Sequence, residues 1–230
     1  MKLTERFNPF RADADPLSAY LADFRIEVDY FTHWPQQDFK TLKNLVSTRI
    51  KLVLQTQGRA DLTAQNEHFL LAPGSVMFIP PYCVYSASTF DHVDSYEIFF
   101  NLHPYAREHG FLQQFGFTRI LHFPQILTPA DTAALMSCYE DVRACRPGCY
   151  AQLRALLHLL LIRLIRLQNT PALPAENSSR EQYVISRLFE YLEAHLNQPV
   201  HVDQLCAALH VSQSHLYRCS RHVMNCSTQQ

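Results

Sequence analysis

The sequence predicts an α+β protein in three parts: an N-terminal antiparallel β-barrel or sandwich, a helical segment, and a C-terminal all-α helix-turn-helix. Three patterns carry that prediction. Short apolar runs punctuated by Gly and Pro fill Leu45 to Asn101, which favours an antiparallel sheet over a parallel one. Two leucine-bearing stretches with helical periodicity follow. From Glu181 to His222, three apolar stripes are separated by a proline stop and a tight turn, the outline of a helix-turn-helix. The expected boundaries are 1–125 for the strand-rich unit, 126–169 for a helical dimerisation segment, 170–180 for a linker and 181–230 for the helix-turn-helix module.

Residues 1–37 are rich in Asp, Pro and aromatics and read as a loose arm joining a sheet, with a strand at Phe24–Phe31. "RIKLVLQTQGRADLT" reads as strand, Gly58 turn, strand. In "HFLLAPGSVMFIPPYCVYSAS" a strand, a Pro73-Gly74 turn, the apolar strand Val76–Ile79, Pro80-Pro81 and a further strand succeed one another, and "DSYEIFFNLH" adds one more. A helix over Pro129–Cys145 starts after Thr128, a suitable N-cap, with Pro129 at its first position and Asp131 near the positive end of the helix dipole. Pro147-Gly148 ends it, and Tyr150–Gln168 forms the next helix. There Leu153, Leu156, Leu157, Leu160, Leu164 and Leu167 make one stripe, while Leu159, Leu161, Ile162 and Ile165 widen it past a single contact face. Such a helix is covered on two sides. Leu153, Leu157, Leu160 and Leu164 are the expected homodimer seam, and burial wholly within one subunit is the alternative. "NTPALPAENSSR" loses all periodicity and reads as a linker.

The last module starts with Val184, Ile185, Leu188, Phe189, Leu192 and Leu196 at three- and four-residue steps, and Asn197 and Pro199 stop that helix. A short helix follows with Val202, Leu205, Cys206 and Leu209 inward, small Cys206 sitting where two helices cross closely. After the turn at His210-Val211, Ser212 caps a third helix through its hydroxyl. Leu216, Cys219, Ser220 and Val223 fall on its inner side. Gln213, Ser214, His215, Tyr217, Arg218 and Arg221 are the candidate DNA-binding residues: the first three sit at the helix start that meets base edges, and the arginines suit guanine edges or phosphates. A helical cap with a solvated charged face is the plainer alternative.

Composition is that of an ordinary soluble globular chain, and the net charge of -1 over 230 residues rules out a globally basic nucleic-acid coat. Any DNA binding must be local. Seven cysteines without a dense framework suit reduced thiols, hence a cytoplasmic protein. Ala155–Leu167 is interrupted by His158, Arg163 and Arg166 and is too short and too charged to span a bilayer.

"PVHVDQLCAALHVSQSHLYRCSRHVMN" resembles the first helix-turn-helix of the AraC/XylS family of bacterial transcription regulators, with Leu205, Ser212, Leu216 and Arg218 at the matching positions. It departs from the family pattern at Cys206 (usually Ala), His210 (usually Gly), Ser220 (usually Phe) and Asn225 (a late Gly). The run "LAPGSVMFIPP" with its flanking strands resembles the cupin barrel that forms the sensor domain of many such regulators. The resemblance implies a sequence-specific DNA-binding regulator controlled by a small-molecule effector in the barrel. It implies double-stranded promoter DNA and RNA polymerase as partners, and a homodimer as the working form. The family carries two helix-turn-helix modules, and here the second is expected to be absent. A shortened regulator without useful DNA binding, acting as a ligand-binding or dimerising protein, is therefore the alternative.

Cupin enzymes are similar to one another in a His-x-His pair, a Glu and a later His that hold a metal. No His-x-His occurs in the chain, and Tyr85 takes the later His position. The expectation is a metal-free binding pocket with no cofactor and no catalysis. His68, Tyr82, Tyr85 and Tyr96, polar groups on or beside barrel strands, are its candidate lining. Cys206, His210, Cys219, His222 and Cys226 have irregular zinc spacing, and packing is the simpler role for Cys206 and Cys219. Cys138, Cys145 and Cys149 suit a redox sensor only if a thiol is activated.

Overall fold

A computed structural model describes residues 21, 24–37, 41–64, 67–103, 105–168, 184–185, 187–188, 191–192, 194–195 and 197–224. The linker at 170–180, Phe189, Leu196, Asn225 and Cys226, all named above, lie outside the described residues.

Among the described residues nine strands form two antiparallel sheets. One contains β1 (Arg25–Gln37), β8 (Val93–His103), β3 (Ile50–Gln57), β6 (Val76–Ile79) and β9 (Leu121–Phe123), in that order. The other contains β2 (Thr41–Leu45), β7 (Tyr85–Thr89), β4 (Ala60–Ala64) and β5 (Glu67–Leu71). The expected barrel is therefore a two-sheet, cupin-like sandwich, and the first strand runs past Phe31 to Gln37. Within the strand-rich unit, Gly58, Pro73-Gly74 and Pro80-Pro81 each mark a corner where the chain crosses between sheets. At Gly58 the chain leaves β3 for β4 with φ +69, and a Cβ there would sit 2.6 Å from the His92 carbonyl oxygen, so only glycine fits. Pro73-Gly74 leads from β5 back to β6, and Pro80-Pro81 leads from β6 to β7.

Three helices follow or flank the strands: α1 (Tyr105–Gln114), α2 (Pro129–Arg143) and α3 (Cys149–Gln168). Alternation along the strands sorts the side chains of the five-stranded sheet onto two faces. Ile50, Leu52, Leu54, Val76, Phe78, Tyr96, Ile98, Phe100 and Leu102 point outward, into one continuous core with Phe111, Leu135, Leu153, Leu157, Leu160 and Leu164 of the helices. Val53, Met77 and Ile79 point inward, where they meet Ala60, Leu62, Ala64, Leu71 and Tyr85 of the four-stranded sheet. At about 1.5–3 kcal/mol per large apolar side chain, the first core is the main source of stability.

Thr128 caps α2 as expected. Its hydroxyl accepts from Asp131 N–H at 3.2 Å, and its own N–H donates to the Asp131 carboxylate at 2.8 Å. Arg163 of α3 closes on the same carboxylate at 2.8 and 3.2 Å. Those hydrogen bonds lead the effects that hold Asp131 down at about 2.

The last module has its own core. Residues 184, 185, 187, 188, 191, 192 and 194 are helical, and α4 (Val202–Leu209) and α5 (Gln213–Met224) follow. Val184, Ile185, Leu188, Leu205, Leu216 and Cys219 are buried together. No helix among the described residues is long and apolar enough to cross a membrane.

Candidate functional site

The face of α5 is built locally. Ser212 accepts from His215 N–H at 3.2 Å, the cap that the sequence predicts. Gln213 donates to Asp203 of α4 at 3.3 Å and ties the two helices across the turn. His210 ends α4 in the left-handed region at φ 53, ψ 41, where a side chain is strained by about 1 kcal/mol or more. Its N–H nonetheless reaches the Ala207 carbonyl at 3.3 Å, and Val211 N–H reaches that of Cys206 at 3.1 Å. A Schellman-like closure thus forms without the usual glycine. Ser220, where the family pattern has an aromatic, is fully buried and donates its hydroxyl to the Leu216 carbonyl at 3.0 Å.

Of the six candidate DNA-binding residues, Gln213, Ser214, Arg218 and Arg221 are exposed and His215 and Tyr217 half-buried. Arg218 donates to Nδ1 of His215 at 2.8 Å, and Nε2 of the same ring lies 3.6 Å from Cys219 Sγ. His215 thus lies between the Arg218 guanidinium and Cys219 and braces the arginine. The face offers two cations, Arg218 and Arg221, and two polar side chains, Gln213 and Ser214, exposed along one helix.

The candidate pocket residues do not come together. His68 is exposed on β5 and pairs with Asp61 at 3.1 Å on the outer face of the sandwich. Tyr96 points to the helix-covered face, stacked on His33 at 4.4 Å and edge-on to Tyr139 of α2 at 5.6 Å. Burial, with Asp94 nearby, pushes its phenol up to about 12. Tyr82 packs against the helical cluster of the last module. Only Tyr85 faces the sandwich interior. Predicting these positions from polarity alone ignored the two-residue period that decides the face.

Inside the sandwich, Tyr85 belongs to a group that the sequence reading missed. Lys51 Nζ donates to the Tyr85 hydroxyl at 2.9 Å and lies 2.9 Å from Glu97 Oε1. The Lys51 side chain is 7% exposed, with its ammonium 5.0 Å from the Phe99 ring centre. Burial pulls its pKa down, but Glu97 and Tyr85 outweigh this and the net shift is upward; burial raises that of Tyr85. The signal was present in "IKLVLQ": a lysine within an apolar strand run has to be paired if it points inward.

The leucines expected to form a dimer seam are instead covered within the chain. Leu153, Leu157, Leu160 and Leu164 are buried against the five-stranded sheet of their own chain, because α3 needs a full stripe to cover that sheet. The large apolar residues that α2 and α3 leave exposed are Met136, Tyr150, Leu159 and Leu167.

Among the described residues no cluster of three or more His, Cys, Asp or Glu is placed to hold a metal. Burial raises Cys83 to about 12 and Cys138 to about 11, the opposite of an activated thiol.

The fold and these faces define a class: a cupin-like sandwich, a helical layer on one sheet and a terminal helix-turn-helix. That arrangement is shared by ToxT from Vibrio cholerae O395, whose crystal structure matches with a TM-score of 0.56 at 10% identity, covering 90% of this chain and 77% of that one. A ToxT structure bound to (E)-4-(8-methylnaphthalen-1-yl)but-3-enoic acid matches with a TM-score of 0.59 at 12% identity, covering 90% and 78%. At such identities the likeness is one of fold. No protein-family model and no curated protein matches the sequence.

Proposed function

We propose that the chain is a cytoplasmic DNA-binding transcription regulator of the AraC type, a binding protein rather than an enzyme. The observation that carries this is the exposed face of α5, with Gln213, Ser214, Arg218 and Arg221 presented beyond a capped turn that α4 supports. The fold shared with ToxT over nine-tenths of the chain supports it. Each phosphate neutralised adds about -0.9 to the slope of log affinity against log salt, so two arginines give weak binding that fades as salt rises. The test is fluorescence anisotropy at low salt with matched and scrambled promoter half-sites. Arg218→Ala is expected to lower affinity for the matched site by about 1–3 kcal/mol. Equal affinity for both sites, untouched by Arg218→Ala, overturns the reading in favour of a ligand-binding or dimerising protein.

We propose that an effector binds in the sandwich interior beside Lys51. The acid bound to ToxT joins an aromatic body to a carboxylate. Here the Lys51 ammonium is bonded to Tyr85, a member of the apolar interior with Val53, Met77 and Ile79, which suits a ligand of that build exchanging its carboxylate for Glu97. We propose homodimerisation through the outer face of α2 and α3, where Leu159 is 67% exposed and Tyr150 61%. Leu159→Glu is expected to shift the chain to monomer in light scattering, and a wild type already monomeric at micromolar concentration refutes the dimer.

A further inference from the structure

Residues 82–85 touch both functional bodies at once. Pro80-Pro81 fixes the approach, and Tyr82 follows at φ 65, a left-handed conformation that strains an aromatic residue. Its N–H donates to the Ser47 carbonyl at 2.7 Å, which pins the corner to the loop after β2. From there the chain runs extended into β7, and its side chains alternate. Tyr82 and Val84 are partly buried against Val184, Ile185, Leu188 and Leu205 of the last module. Cys83 and Tyr85 are buried in the sandwich interior. Tyr85 in turn carries the hydrogen bond from Lys51.

We propose that residues 82–85 are a coupling element: Tyr82 and Val84 form the docking surface by which the sandwich holds its own helix-turn-helix, and Cys83 and Tyr85 report the state of the interior to that surface. The occupant of the surface is the chain's own helical cluster, already seated on it. The physical reason for coupling is that adjacent residues of one extended segment share a backbone. A shift of Tyr85 that follows loss or replacement of its Lys51 contact cannot leave Val84 where it was, because the corner at Tyr82 is pinned on its other side. The strained φ of Tyr82 supplies a second arrangement for the corner to relax into. An effector that rearranges Lys51 and Glu97 thereby loosens or tightens the hold on α4 and α5. The direction of control rests on the regulator reading above; the docking contact and its link to the interior do not.

Hydrogen exchange on the whole chain tests this. In Tyr82→Ser/Val84→Ser, the amides of residues 184–192 and of α4 are expected to exchange about tenfold faster, while β3 and β6 keep their protection. Tyr85→Phe, which removes only the hydroxyl inside the sandwich, is expected to speed the same helical amides about threefold. Thr63→Ala, at an exposed position on β4, is expected to change neither. If the double variant disturbs the sandwich, the near-isosteric Val84→Thr takes its place, with the same direction expected. Unchanged helical exchange in these 82/84 variants removes the docking surface. Helices that loosen in them but not in Tyr85→Phe remove the coupling. DNA anisotropy on the same samples separates the two proposals. Loosened helices in chains that all ignore DNA sink the regulator reading and leave the coupler standing, whereas DNA binding with unaltered helical exchange does the reverse.

Discussion

The two faces of the five-stranded sheet are made of alternate residues of the same strands, and they are built on different principles. Outward from β3 go Ile50, Leu52 and Leu54, into the apolar core that α2 and α3 complete. Inward go Lys51, Val53 and Gln55, and there the ammonium of Lys51 is held between Glu97 and Tyr85. A buried ion pair is weak support for a fold, since desolvating both charges offsets most of their attraction. The outer face therefore accounts for stability. The inner one carries the cost of desolvating Lys51 and Glu97. One strand carries both because a two-residue period lets each face be specified independently.

Substitutions on the two faces sharpen that contrast. The largest effect is expected on the outer face, where Leu157 is fully buried between α3 and the sheet. Leu157→Ala should lower the unfolding free energy by about 3 kcal/mol through lost burial plus the cavity left behind. Denaturant titration measures it, and a loss below about 1 kcal/mol would mean that α3 does not seal this face. On the inner face Lys51→Met should cost about 2 kcal/mol, because Glu97 is left desolvated without its counter-charge. Adding Glu97→Leu should recover most of that loss. If the double variant is no better than the single, the pair is structural and the contrast between the faces collapses. Tyr85→Phe should cost about 1 kcal/mol, the worth of one hydrogen bond to a charged donor that keeps a second partner.

Much of this was legible in the sequence because it was local. Thr128, Pro129 and Asp131 announce a capped helix, Ser212 announces another, and the corners at Gly58, Pro73-Gly74 and Pro80-Pro81 fall where punctuation was read. The sheet assignment was not legible: a strand, a Gly58 turn and a strand do not tell that β3 and β4 belong to different sheets. That gap carried over to the site. Without knowing which face is inside, Tyr96, Tyr82 and Tyr85 look alike, although one faces the helices, one the last module and one the interior. The leucines of α3 misled for a related reason. Periodicity shows that a stripe is covered, not whether the cover is the same chain or another.

The smallest effect concerns the seam between the helices that close the outer face. Asp131 sits at the N-terminus of α2, bonded to Thr128 and clamped by Arg163, whose side chain is 40% exposed. Water screens such a pair, so Arg163→Ala should cost only about 0.5–1 kcal/mol at neutral pH. The pH dependence is more telling than the magnitude. The carboxyl is held at about 2 against an ordinary 3.8, so its depressed value means that the folded state prefers the ionised form. The stabilisation it adds is present above about pH 4 and is lost as pH falls through about 2. Asp131→Asn removes that single titration. Subtracting its stability curve from that of the wild type should give a difference that is flat above about pH 4 and shrinks below it. A difference that stays constant down to pH 2 would show that Asp131 acts only as a neutral cap for α2. Arg163 would then contribute packing to the helix-covered face and no charge, which would make that face apolar in function throughout.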